Sequence, residues 1–352
     1  MIRRKQFVIR VILLTECLFT GMTVSAENDY PTFYEREEGN VCFACEIELP
    51  ENFNPSGIYE TAVKGLCFAN SGKVYELYVD GKNVAEHHVF PPASDELKQC
   101  DYYILEDGAQ VFIDAYVQYS KNEDNRYNNA GISEVGAEEV YAGCQVDFIS
   151  PEESIEVVKS ELLAMDYPAG ELEFHTYPVS AERMAMAERE NVEKGLLSAD
   201  RISEWTEADD AYVIWAYQKH QGMTVFHESM NRGGRLSQYV PNNGPVMAWY
   251  STKGMENISA DSLYQFEIGT KKLELISFEQ AASVVIKKYN NILSDDTYRV
   301  QKEKLFERVY LDEHQKYQAS PVWYFEIKPG ERNPDIMLVD AVNGKEITLN
   351  VF

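Results

Sequence analysis

Two places in the sequence have residue types and spacing suited to metal or redox chemistry, Cys42-Phe43-Ala44-Cys45 and His87-His88, and His227-Glu228 opens the spelling of a zinc-peptidase helix. Each lacks a second requirement. A zinc ribbon needs another close cysteine pair, whereas Cys67, Cys100 and Cys144 are scattered singly. A dithiol redox motif opens a helix after a strand, and 41–49 reads as a strand throughout. On one strand His87 and His88 point to opposite faces and cannot share an ion. Ser229-Met230-Asn231 follows His227-Glu228, so the second histidine of the peptidase helix is missing. Among 58 acidic residues, carboxylate pairs of the glycosidase kind arise by chance, and nothing picks one out. The residues therefore designate no catalytic, cofactor-binding or metal-ligating position, and the chain reads as non-catalytic.

The elements that would position any site are those of an α+β protein. Asp80-Gly81 lies between apolar-alternating runs at 73–79 and 82–90, and Asp107-Gly108 lies between 102–105 and 110–120. Both read as hairpins, which makes 27–148 an antiparallel β-rich domain. The polar loop 122–129 reads as a solvated turn, because Arg126 falls where a calcium loop needs an oxygen ligand.

Ser150-Pro151-Glu152-Glu153 then opens a helix with a capping box, and its stripe is Ile155, Val158, Leu162 and Met165. Ser277-Phe278-Glu279-Gln280 opens another, with Ala282, Val285, Tyr289 and Ile292. Cap, box residue and stripe coincide at an offset of 127, which predicts two helix-on-antiparallel-sheet repeats, 149–275 and 276–352. The first repeat would take its sheet from 212–217, 223–227, 246–252 and 264–268. An inserted helix at 180–195 has sparse apolar positions and is expected at the surface. The loop 231–244 is the longest, and is expected to be a mobile rim. At the C-terminus two apolar runs are separated by Pro329 and Pro334, and Asn343-Gly344 suits a type I′ turn. Trp215, Trp249 and Trp323 fall in strands and are expected in cores; Trp205 is the one expected at the surface.

The order of helix, long strand, Pro321-Val322-Trp323 and Val339-Asp340-Ala341-Val342-Asn343-Gly344-Lys345 resembles a PepSY-type module, known from thermolysin propeptides and germination proteins. The resemblance covers roughly the last 75 residues. A weaker echo is Gln221-Gly222-Met223-Thr224-Val225-Phe226, where Thr224 stands in place of that family's proline. Over its whole length the chain resembles uncharacterised secreted or lipid-anchored proteins of Gram-positive gut bacteria. The resemblance implies a regulatory or inhibitory partner protein and no catalytic residue.

Residues 1–26 combine Arg3, Arg4, Lys5 and Arg10 with an apolar run and the small-residue exit Val24-Ser25-Ala26, the pattern of an export signal. The run is broken by Glu16 and is short for a bilayer span, so no integral membrane span is expected after processing. Leu14-Thr15-Glu16-Cys17 has the outline of a lipoprotein site, but Glu16 stands where a small residue belongs; release and anchoring on the outer face of the membrane both stay open. The net charge of −26 disfavours nucleic acid and anionic membranes as partners. Five cysteines follow Cys17, so in an exported chain at least one lacks an intramolecular partner, and the pairing stays open. The expected partner is an envelope protein or peptide, docked by strand addition at a sheet edge, with no cofactor and an open oligomeric state. The residues alone also allow a peptide- or glycan-binding module using the Tyr and Trp surface, or a hydrolase with an unmarked carboxylate pair. Intact mass of the protein from its own cells should show a species starting at Glu27 in the medium; a membrane species with a diacylglyceryl mass on Cys17 would reverse this.

Overall fold

A computed structural model describes residues 29–92, 99–113, 116–122, 126–129, 141, 143–168, 172–201, 203–227, 244–314, 316–332 and 334–347. The segment 1–26, most of the 231–244 loop and part of the 122–129 loop lie outside them. The fold is mixed α+β. Its strands begin with β1 (Phe33–Glu38), β2 (Val41–Glu48), β3 (Tyr59–Cys67), β4 (Val84–Phe90), β5 (Cys100–Leu105), β6 (Gln110–Ile113), β7 (Val117–Ser120) and β8 (Leu172–Val179). They continue with β9 (Ala211–His220), β10 (Met223–His227), β11 (Val246–Ser251), β12 (Gly254–Ala260) and β13 (Leu263–Lys272). The last are β14 (Tyr298–Leu311), β15 (Tyr317–Pro329), β16 (Asp335–Asp340) and β17 (Glu346–Ile347). Four helices of two or more turns pack on them: α1 (Ser71–Tyr78), α2 (Pro151–Ala164), α3 (Ala181–Glu193) and α4 (Phe278–Asn290).

One sheet runs β1-β2-β14-β15-β16-β17, with a β3–β13 ribbon joined to β15 where Gln318 meets Ala62. The other is an antiparallel array in the order β4-β5-β6-β7-β12-β11-β9-β8. They are continuous through the turn between β9 and β10. There Gln221 and Gly222 both take positive φ (+48° and +80°), and β10 leaves to pair in parallel with β14.

The capping boxes form as the sequence predicts. Ser150 and Glu153, and likewise Ser277 and Gln280, exchange side-chain and backbone hydrogen bonds at the starts of α2 and α4. Helix α4 buries Phe278, Ala282, Val285 and Tyr289 against Phe43 and Ile47 of β2 and Trp323, Phe325 and Ile327 of β15. Helix α2 sets Val158 and Leu162, with Met165 just beyond its end, on the opposite sheet against Tyr212, Ile214 and Ala216. The three strand tryptophans are buried, each with no more than 1% of its surface exposed.

Several expectations change. Residues 73–79 are not a strand: Asn70 caps α1 by accepting from the Gly72 and Lys73 amides, and Val74 and Tyr78 fall on one buried face. The 223–227 and 264–268 strands leave the first repeat's sheet for the other one, pairing with β14 and β3. Residues 27–148 divide between both sheets, β1–β3 in one and β4–β7 in the other. Helix α3 is not superficial. Met184 and Ala187 are buried, and Met184 packs with Trp215 and Trp249 on the second sheet's other face. In the last hairpin only Gly344 takes positive φ, so the turn is not type I′; Asp340 closes it by accepting from the Val342 and Asn343 amides.

Because β2 completes the α4 core, residues 276–352 produced alone should show no cooperative unfolding. In the full chain Phe43→Ala should cost roughly 3–5 kcal/mol in denaturant titrations. A cooperative, native-like fragment would refute this dependence.

Candidate functional site

The site is built on one edge of β14. Its first half pairs with β2 (Val300 beside Phe43, Lys304 beside Glu48), and its second half pairs with β10 (Phe306 beside Thr224). Both neighbours run parallel to β14, so the end of β2 abuts the start of β10 and Leu305 faces the join. A cleft of about 790 Å3 opens there. One wall is apolar and aromatic: Tyr30, Ile47, Leu49, Phe53 and Leu305. The other is charged: Glu48, Glu173, Lys219 and Lys304, with Thr224.

The polar wall is a network. Glu173 on β8 accepts from the Thr224 hydroxyl, contacts His175 Nε2 at 3.2 Å and lies 3.6 Å from Lys304 Nζ. Hydrogen bonding with His175, aided by the Lys304 and Thr224 contacts, outweighs burial and holds the Glu173 carboxyl well below the usual range. Lys304 also reaches Glu48 at 3.4 Å and lies over the Phe306 ring. Lys219 has no ion-pair partner among the described residues, and its half-buried side chain lines the cleft. The β9–β10 turn is fixed from outside: the Gln221 amide accepts from Tyr59 N–H and donates to Tyr59 C=O, both at 2.8 Å. On the apolar wall Tyr30 stacks over Trp323 and meets Phe53 edge-on.

Behind the cleft floor lie two carboxyls that sequence reasoning missed. Alternation along β14 puts Glu303, Leu305 and Glu307 on one face, opposite Phe325, Trp323 and Pro321 and toward the α4 core. Glu303 and Glu307 are essentially unexposed. Cys45 Sγ donates to Glu303 Oε1 at 2.9 Å. Glu303 Oε2, Glu307 Oε2 and Trp323 Nε1 have no hydrogen-bond partner among the described residues. Burial pushes Glu303 up to about 7, against the lowering hydrogen bond from Cys45, and Glu307 up to about 8. The signal was present as two glutamates in register with Leu305 and Val309. Neither lines the cleft, so they face no molecule bound there.

The motifs weighed for chemistry are separated. Cys42 and Cys45 fall on opposite faces of β2; Cys45 is buried, and burial raises its thiol far out of the reactive range. His87 stacks on Tyr103 and meets Asp101 at 2.9 Å, whereas His88 stacks near Tyr102 on the other face and meets Glu86. Trp205 is half-buried and so the most exposed of the four tryptophans, but it is tied down: its Nε1 donates to buried Glu188 at 2.7 Å, and Arg126 covers its ring. Among the described residues no group of three His, Cys, Asp or Glu could hold a metal ion, and no helix is long and apolar enough to cross a membrane.

No model of a known protein family matches the chain, and no curated protein is similar to it. Among solved structures it is similar to an uncharacterised protein from Eubacterium rectale, with 13% identity and a TM-score of 0.61 over 91% of this chain and 94% of that one. A Bacillus megaterium YpeB C-terminal domain aligns at 10% identity and a TM-score of 0.31 over 78% of this chain and 93% of that one. The first likeness shows the shared fold.

The two buried carboxyls set a sign for pH dependence. Their folded values lie above the ordinary 4.5, so the stability they contribute is full below about pH 4.5 and is lost as pH rises toward 7 and 8. Glu307→Gln should therefore gain stability over wild type between pH 5 and pH 8, by on the order of 3 kcal/mol. Denaturant midpoints at both pH values check this; an equal difference at both would contradict it.

Proposed function

We propose that the chain is an exported, non-catalytic protein of the cell envelope that binds or restrains a protein partner, a peptidase or a membrane-bound regulator. The partner would seat an extended segment in the cleft beside β14. The carrying observation is the cleft's mixed lining: aromatic and apolar residues beside charged ones, with Lys219 as the cation its own carboxylates do not pair. A segment with an apolar side chain next to an acidic group satisfies both sets of residues.

The same proposal reads α2 and α4 as the helices of two PepSY-like repeats. After α2 the strands β8, β9, β11 and β12 follow one another across the sheet, and after α4 so do β14, β15, β16 and β17. The 127-residue offset of the capping boxes supports this. Export rests on residues 1–26.

Arrays of synthetic peptides should yield binders that combine an acidic and a large apolar residue. Lys219→Glu should weaken them at least about tenfold, the equivalent of roughly 1.4 kcal/mol. Peptides that bind equally to both proteins, or none that bind, would overturn the reading. Turnover of a peptide or glycoside panel, abolished by one Asp or Glu substitution, would replace it with a hydrolase.

A further inference from the structure

Among the described residues β4 is an outer strand that pairs only with β5, and all seven of its residues are exposed. Sheet edges are ordinarily blocked by proline, lysine, clustered charge or a β-bulge, of which β4 has only the bulge, at its start between Val84 and Glu86. Two other edges of this protein follow that rule: β8 contains Pro178, and the six residues of β1 include Glu35, Arg36, Glu37 and Glu38.

 Those four charged side chains in six residues make β1 a charged edge. Strand β4 has no proline, lysine or glycine. It presents Val84, Val89 and Phe90 at 40%, 51% and 48% exposure, with one carboxylate, Glu86, beside His87 and His88.

That pattern is complementary to itself. We propose that a second copy of this chain docks on β4, the two strands pairing antiparallel about a two-fold axis through His87. A two-fold axis perpendicular to the sheet opposes residues of the same face, so the axis must pass through a single residue. Centred on Glu86, it would oppose two like carboxylates; centred on His88, it would set Glu86 against Phe90. Centred on His87, it sets Glu86 of each copy opposite His88 of the other, so the hydrogen-bonding match these two side chains make within one copy at 2.9 Å can form twice between copies. A β-bulge between Val84 and Glu86 limits the regular pairing to 86–88 of each copy. Beyond it Val84 and Ala85 of one copy lie alongside Val89 and Phe90 of the other, which covers the exposed apolar side chains. This interface is independent of the cleft.

Sedimentation equilibrium of the full mature chain over a micromolar concentration series should show a monomer–dimer equilibrium. His88→Glu should weaken it at least about tenfold, and Glu86→Lys combined with His88→Glu should restore it. His87→Cys should form a covalent dimer through the introduced thiols, because residues on the axis face themselves at a Cα separation a disulfide can span. A wild-type monomer throughout the series overturns the proposal. So does a dimer that His88→Glu leaves unchanged and that His87→Cys does not cross-link.

Discussion

The fold depends on the shared edge of β14. One strand is asked to template two others, β2 from the start of the chain and β10 from its middle, both in parallel. Parallel pairs cannot be closed by tight turns, so each arrives through a long connection whose closure entropy is spent before any pairing is gained. Once formed, the arrangement locks distant segments together. Phe43 enters the core beneath α4, and the β9–β10 turn carries one sheet into the other. The cleft is its geometric remainder, because two strands placed end to end along one edge leave a join.

The same strand carries the least economical burial in the described structure. Its outward face holds Lys302 and Lys304, which find Glu48 and Glu173, whereas its inward face holds Glu303 and Glu307 among Leu305, Trp323 and Phe325. A carboxyl without a cation in such a place holds its proton to higher pH, because burial disfavours the charged form. Burial lifts both carboxyls, and only Glu303 has a hydrogen bond, from Cys45, that works against the lift. Replacing both by aliphatic residues would serve packing better, so the strand is not tuned for stability alone.

Local signals in the sequence were reliable where the chain decides its own conformation. Ser150 and Ser277 announce α2 and α4, Asp107-Gly108 turns β5 into β6, and Trp323 is buried as its strand context implies. Local signals misled where two templates compete. Residues 73–79 alternate well enough for a strand, yet the Asn70 cap and the spacing of Val74 and Tyr78 settle on a helix. Nothing local marks β10 and β13 as belonging to the other sheet, because strand exchange is decided by pairing partners tens to hundreds of residues away. The cleft was invisible for the same reason. Helix α3 shows a further limit: one methionine, Met184, seats it over Trp215, and the buried Glu188 is rescued by Trp205 and the Ser203 amide rather than by any apolar stripe.

Charge acts on two scales in this molecule. At long range the net charge of −26 repels other acidic surfaces. At physiological ionic strength that field fades within about 8 Å, so recognition falls to groups in contact. In the cleft, Glu173 is already committed to Thr224, His175 and Lys304, and Lys304 to Glu48 as well, which leaves Lys219 as the cation still open to a visitor. An acidic protein can thus present a locally cationic contact without reversing its overall charge.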